Sequence, residues 1–220
     1  GEEHVESFSQ RRSWCRRLRR RSCYRSWAMG RLDGSGLDYY ATPAWCTEEL
    51  LPLLRQEGRG PGGVEGPIAE PCAGAGAITR VLRAGGFEVL EGDLLPQGSA
   101  VRCDATSPTE LRRAFGGCRL AITNPPYSLA FECVRAMVEV FERVIVLGRL
   151  GLLASQQRAA WMSEHTPSVY VLSRRPSFRG GSQDVSDYAW LDWSRRAPMV
   201  RILECAGRGR VRGVRGRAVR

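Results

Sequence analysis

From about residue 37 onward, apolar residues fall into short runs separated by clusters of glycine, proline and small polar residues. Residues 47–56 predict a helix. The stretch GRGPGGVEGP at 58–67 predicts a loop between that helix and a first strand, IAEP at 68–71. Beyond a glycine cluster at 74–76, ITRVLRAG predicts a helix stopped by Gly85-Gly86, and FEVLEGD predicts a second strand, so the pieces read as one βαβ unit. The rhythm continues with strand VRCD at 101–104, helix TELRRAF at 109–115, strand LAIT at 120–123, helix SLAFECVRAMVEVF at 128–141 and strand VIVL at 144–147. Strands alternating with helices predict a parallel sheet covered on both faces. The last third departs from this rhythm. A helix at 155–164 leads to the strand SVYVL at 168–172, a polar loop at 173–187 and the strand YAWLDW at 188–193. Two strands with no helix between them predict an antiparallel pair closing the sheet.

A chain of 220 residues, 43% hydrophobic and 25% charged, suits one globular domain. The pattern assigns that domain to residues 37–207, between a basic N-terminal tail at 1–36 and a basic C-terminal tail at 208–220. The net charge of +10 belongs to the tails: all 33 cations are arginines, eight of them within 11–25 and six within 208–220, whereas 26–207 holds 19 arginines against 20 acids. Such runs can grip phosphate backbones without sequence preference. A solvated, low-complexity tail is the plainer reading, and an arginine-rich transit segment is a third for the N-terminus, where Met29 is a candidate native start. No apolar run approaches the roughly 18 residues of a membrane span, and no secretory signal is recognisable, so a soluble cytoplasmic protein with no membrane partner is expected. The eight cysteines are never closer than eight residues apart, so no CxxC pair exists, and they read as free, mostly buried thiols in a reducing compartment. His4 and His165 sit near no motif, so neither a metal centre nor a Ser/His/Asp triad is expected.

Three places carry candidate chemistry. The first is EPCAGAG, Glu70 to Gly76, where a strand ends and a helix begins. Glycines there let the backbone approach a ligand, and the helix offers free N–H groups. The dinucleotide fingerprint fails, because its third glycine position holds Thr79. The second place is the pair of strand-end acids that follows. Asp93, 17 residues after Gly76, can accept hydrogen bonds from both ribose hydroxyls of an adenosyl group or can cap the turn Leu94-Leu95-Pro96. Asp104 can accept from an adenine amino group or cap the turn into Ala105-Thr106-Ser107-Pro108. The third, and the strongest, is NPPY, Asn124 to Tyr127, directly after LAIT. Consecutive prolines stiffen the turn and remove two N–H groups, so it presents carbonyl oxygens without competing donors. The Asn124 side-chain carbonyl and the Pro125 backbone carbonyl can each accept one hydrogen of a planar amino group, which localises its lone pair as a methyl is transferred. Tyr127 supplies a ring on which an extruded base can stack.

With these motifs in register, residues 38–193 resemble the class I S-adenosylmethionine-dependent methyltransferases acting on amino groups, and within them the small phage-type DNA adenine-N6 enzymes. By that resemblance Tyr40-Ala41-Thr42-Pro43 is similar to the segment holding the methionine part of the cofactor. Glu70, Pro71, Gly74 and Gly76 are similar to the cofactor loop, Asp93 and Asp104 to its ribose and adenine positions, and Asn124, Pro125, Pro126 and Tyr127 to the catalytic motif. SRRPSF at 173–178 and the following SDYAWLDW resemble the closing strands and the loop beside the target base. The resemblance implies a Rossmann-like α/β fold, a mostly parallel seven-stranded sheet with an antiparallel last strand and helices on both faces. It implies S-adenosyl-L-methionine as cofactor, no metal, and DNA as partner, with RNA possible in its place. No separate target-recognition domain fits between the motifs. Sequence specificity is therefore either absent or short and read by loops 148–166 and 173–187, where Arg149, Arg174, Arg175 and Arg179 are candidates for phosphate or guanine contacts. NPPY also occurs in enzymes that methylate RNA bases and protein glutamine, and a non-catalytic nucleic-acid-binding protein on the same scaffold is the alternative from another class.

Overall fold

The computed structural model describes residues 41–56, 66–178, 184–194 and 196–205. The basic tails, Tyr40 and Arg179 lie outside them, as does most of the predicted 58–67 loop.

Two short helices, α1 (Ala44–Glu48) and α2 (Leu51–Gln56), stand where one was predicted. Pro52 is the cause. It has no N–H to return to the carbonyl of Glu48, and its ring crowds that carbonyl, so the helix breaks at 49–50. The βαβ unit follows as predicted, with β1 (Ile68–Glu70), α3 (Ala77–Ala84) and β2 (Val89–Asp93). Next come a two-residue β3 (Val101–Arg102), shorter than the predicted strand, then α4 (Pro108–Phe115) and β4 (Leu120–Thr123). Helix α4 starts on a side-chain cap, the Ser107 hydroxyl accepting from the Glu110 N–H. A 3-10 turn (Tyr127–Leu129) leads into α5 (Ala130–Val138), three residues shorter than predicted at its end. There the Met137 carbonyl accepts from both Val140 and Phe141, a tight turn that swings Phe141 into the core against Phe115. The remaining elements are β5 (Arg143–Arg149), a 3-10 turn (Leu150–Leu152), α6 (Ala159–Glu164), β6 (Ser168–Leu172), β7 (Tyr188–Trp193) and β8 (Val200–Leu203). Helix α6 begins four residues later than predicted, because 155–158 close as a hydrogen-bonded turn instead.

Among the described residues the sheet has eight strands, in the order β3-β2-β1-β4-β5-β7-β6-β8, not the expected seven. The antiparallel strand is β7, seated between β5 and β6, while β8 runs parallel to β6 at the edge. The extra strand escaped sequence reasoning because three of its four residues are exposed, so VRIL carries no burial pattern to read.

Period-2 alternation divides the central strands between two cores. Ile68, Leu120, Ile122, Ile145, Leu147, Tyr188 and Trp190 meet Cys46, Leu50, Leu54, Ile78 and Leu82 from α1–α3 and the turn joining the first two. Ala69, Ala121, Val144, Val146, Ala189 and Leu191 meet Leu111, Phe115, Val134, Met137 and Met162 from α4–α6 on the other face. Helices therefore cover both faces of the sheet. Trp190, fully buried, donates its indole N–H to the Cys46 carbonyl at 2.8 Å and so ties α1 to β7. Cys46, Cys72, Cys103, Cys118, Cys133 and Cys205 are free thiols, four of them buried. Among the described residues no helix is long and apolar enough to cross a membrane.

Candidate active site at the sheet switch point

Strands β1 and β4 are parallel neighbours from which the chain winds outward in opposite directions, to β2 and β3 on one side and to β5 on the other. A doubly wound sheet leaves a crevice at such a point, outside the carboxyl ends of the strands, because the connecting segments diverge there. The two strongest motifs occupy those two strand ends. Glu70–Gly76 leaves β1 and Asn124–Tyr127 leaves β4.

The first turn is built by backbone bonds to β2. Ala73 donates its N–H to the Gly92 carbonyl at 2.9 Å, and Gly74 donates to the Asp93 carboxylate at 2.8 Å. Gly76 has φ +71°, a left-handed conformation that favours glycine, and a Cβ there would stand 2.9 Å from a Glu91 carboxylate oxygen, the movable end of a side chain. Glu91 is itself held by Arg83 at 3.2 Å and Ser99 at 2.8 Å. Beneath the turn, Glu70 is 1% exposed and its carboxyl receives the Thr79 hydroxyl. Burial is the main cause that pushes the Glu70 carboxyl up to about 8. Thr79, the residue that breaks the dinucleotide pattern, is thus the partner of a buried carboxyl.

Asp93 accepts from Gly74 on one oxygen and from Leu95 at 2.9 Å on the other, so it both braces the glycine turn and caps its own. Asp104 accepts from the Thr106 N–H at 2.9 Å and the Thr106 hydroxyl at 2.7 Å, both on one oxygen, which is the turn-capping arrangement. Its backbone N–H donates to Glu110 at 2.9 Å.

Asn124 donates its side-chain N–H to the Thr42 hydroxyl at 3.0 Å, across 82 residues of sequence. Thr42 is 7% exposed, and Pro43 caps α1, so the Thr-Pro segment lies against the NPPY turn. With its nitrogen directed at Thr42, the amide turns its oxygen the other way. Pro125 is buried and Pro126 half-buried. The Tyr127 hydroxyl is 3.0 Å from that of Tyr188, its ring packs with Phe178 and Tyr188, and the Arg149 guanidinium carbon lies 4.3 Å from its centroid. Burial, with Tyr188 beside it, pushes the Tyr127 phenol above its ordinary range. Sequence reasoning singled out neither Phe178 nor Tyr188. The second is the first residue of YAWLDW, and its aromatic ring at a strand end was the available signal.

The loop arginines are placed unlike one another. Arg149 is tied to Tyr188 at 2.9 Å and Asp184 at 3.2 Å, Arg175 pairs with Asp187 at 2.8 Å on the surface, and the Arg174 guanidinium lies 4.8 Å from the Trp45 ring centroid. Among the described residues no group of three His, Cys, Asp or Glu side chains is arranged to hold a metal ion.

No protein-family profile matches the sequence, and no curated protein does. Several solved structures are similar to it at low identity. One is a protein of Pyrococcus horikoshii provisionally assigned as an RNA methyltransferase, 16% identical with TM-score 0.49 over 83% of this chain and 97% of that one. A TehB-like SAM-dependent methyltransferase of Corynebacterium glutamicum is 12% identical with TM-score 0.37 over 86% and 100%. The type IIG restriction endonuclease BpuSI is 14% identical with TM-score 0.41 over 70% of this chain and 24% of that one.

Proposed function

We propose that this chain is an S-adenosylmethionine-dependent methyltransferase acting on the exocyclic amino group of a nucleic-acid base, adenine N6 in DNA, with 37–207 as its catalytic domain. The observation that carries the reading is the NPPY turn at the end of β4, facing the glycine turn of β1 across the switch point, with the Asn124 amide oriented by Thr42.

The residues present fit the cofactor. Gly74 and Gly76 both hold positive φ, +52° and +71°, which keeps the turn after β1 free of side chains at those two positions, and the Asp93 carboxylate, with two oxygens and about four lone-pair sites, retains acceptor capacity beyond the two N–H groups it already binds. Asp93 would hold the ribose hydroxyls, Asp104 the adenine amino group, and Thr42 and Pro43 the methionine part, while Glu70 and Pro71 shape the glycine turn from the end of β1 and Tyr40 lies outside the described residues. Held there, S-adenosylmethionine would supply an electrophilic sulfonium methyl for transfer to an amine lone pair. The Asn124 side-chain carbonyl and the Pro125 carbonyl accept the two amine hydrogens, which keeps the lone pair on nitrogen in the transition state. Tyr127 stacks the base. The arginine runs at 11–25 and 208–220 supply sequence-independent attraction for a phosphate backbone, which favours a nucleic acid over a protein-glutamine substrate.

Labelled methyl transfer to unmethylated DNA, to RNA and to a protein extract tests the reading, with the labelled nucleoside identified after digestion. Label on N6-methyladenine in DNA is expected. Label confined to RNA or to protein removes the DNA assignment, and a chain that binds no S-adenosylmethionine removes the methyltransferase assignment.

A further inference from the structure

Arg149, the last residue of β5, was a candidate for reading phosphate or guanine, yet the fold turns it inward. Its guanidinium carbon lies 4.3 Å from the Tyr127 ring centroid, well within the range of a cation–π contact. Its Nε donates to the Tyr188 hydroxyl at 2.9 Å and an Nη donates to Asp184 at 3.2 Å. The Tyr188 hydroxyl donates to the same Asp184 oxygen at 2.9 Å and stands 3.0 Å from the Tyr127 hydroxyl. Four side chains from four segments, β5, the NPPY turn, the β6–β7 loop and β7, thus close a ring of contacts. Asp184 is seated from outside the ring as well, through its own N–H to the Pro176 carbonyl at 2.9 Å and through the Ser186 N–H to its carboxylate at 3.0 Å.

A guanidinium can do here what an ammonium cannot. Its planar fork bonds a hydroxyl and a carboxylate in fixed directions while its face lies on an aromatic ring. The contact fixes the Tyr127 ring at its edge, through the hydroxyl, and on one face. The geometry points to Arg149, held by Asp184 and Tyr188, as a positioning residue that sets the plane of the Tyr127 ring and so assigns its other face to the target base. This rests on the reading of NPPY given above. It goes beyond that reading in assigning the β6–β7 loop a part in base positioning, through Asp184.

The test uses the full chain, labelled S-adenosylmethionine and unmethylated mixed-sequence duplex DNA. Arg149→Lys keeps the charge and loses the plane, Arg149→Met keeps bulk and loses both, and Asp184→Asn weakens the anchor without touching the ring. All three are expected to lose at least tenfold in kcat/KM for DNA, with S-adenosylmethionine affinity within twofold of the parent. Because Arg149 and Tyr188 act through one ring, the Arg149→Met, Tyr188→Phe double variant is expected to lose no more than the worse single one. A purely structural role predicts instead that loss of activity follows loss of melting temperature and that the two losses multiply. If Arg149→Met does not fold, Asp184→Asn and Arg149→Lys still decide the matter. Parent-like kcat/KM in those two overturns the positioning role while methyl transfer by the parent keeps the reading of NPPY. A parent that transfers no methyl to DNA overturns the DNA assignment and this positioning role with it, and one that binds no S-adenosylmethionine overturns the reading of NPPY as well.

Discussion

The buried carboxyl beneath the glycine turn makes stability depend on pH in an unusual direction. Glu70 is 1% exposed and holds its proton to about pH 8 in the folded chain, against an ordinary value of 4.5. Between those values the folded state binds a proton that the unfolded state has released, so stability is full below 4.5 and is lost as pH rises through about 8. At about 1.4 kcal/mol per pH unit, the whole window is worth on the order of 4–5 kcal/mol, a large share of the stability of a domain this size. Glu70→Gln removes the titration but keeps the shape and an acceptor for Thr79. Urea midpoints at pH 5, 6.5 and 8 and constant ionic strength check this. The parent should lose stability over that range by several kcal/mol more than Glu70→Gln does. Parallel curves for the two proteins would refute the reasoning, since no other residue is changed.

Further outcomes are expected at four residues. Asp93→Ala should weaken S-adenosylmethionine binding by tenfold or more in calorimetry, with a secondary loss of order in the turn that Gly74 shares with it. Asn124→Ala should abolish most turnover in single-turnover assays while cofactor affinity stays near the parent's, because the acceptor it removes matters chiefly during transfer. Tyr127→Ala should cost roughly 1–3 kcal/mol of productive substrate binding, and Tyr127→Phe should keep most activity with a small loss, since its hydroxyl meets Tyr188. Asp192→Asn should destabilise the fold by about 3–5 kcal/mol in urea titrations, because it strips the charge partner from Arg143, whose side chain is 5% exposed and lies 2.5 Å from the Asp192 carboxylate.

Much of the fold was legible where burial is strong on both sides of the sheet. LAIT, SVYVL and YAWLDW stand at their predicted residues because buried strands write their apolar character into sequence. The reading failed where the deciding contact is absent from the local pattern. Pro52 splits a helix whose leucines run on without a break, and β8 is an edge strand that buries only Leu203 and leaves Val200 and Ile202 exposed, so its apolar residues follow no burial pattern. The site divides in the same way. The NPPY and EPCAGAG turns were readable because proline and glycine have backbone reasons to be there. The ring of Arg149, Asp184, Tyr188 and Tyr127 was not, since it is made by side chains up to 61 residues apart that meet only after β7 has paired with β5. Arg149 drew notice as a charge, and a charge in sequence does not reveal which way it points.

The reversed course of β7 has a consequence for how such a protein can change over generations. Because β6 runs with β1 and β4 while β7 runs against them, the hairpin that joins them opens at the strand ends bearing both motif turns. Its span, residues 173–187, begins and ends on strands already locked by neighbours on either side. Residues can therefore be inserted or deleted there without shifting a single rung of the ladder. The rigid part of the molecule would keep its chemistry, and the hairpin would behave as an exchangeable cartridge whose length and lettering drift on their own schedule. The anchor at Asp184 sets the limit, because a cartridge that loses it lets go of Arg149 and Tyr188, the two side chains that hold Tyr127 at the end of β4.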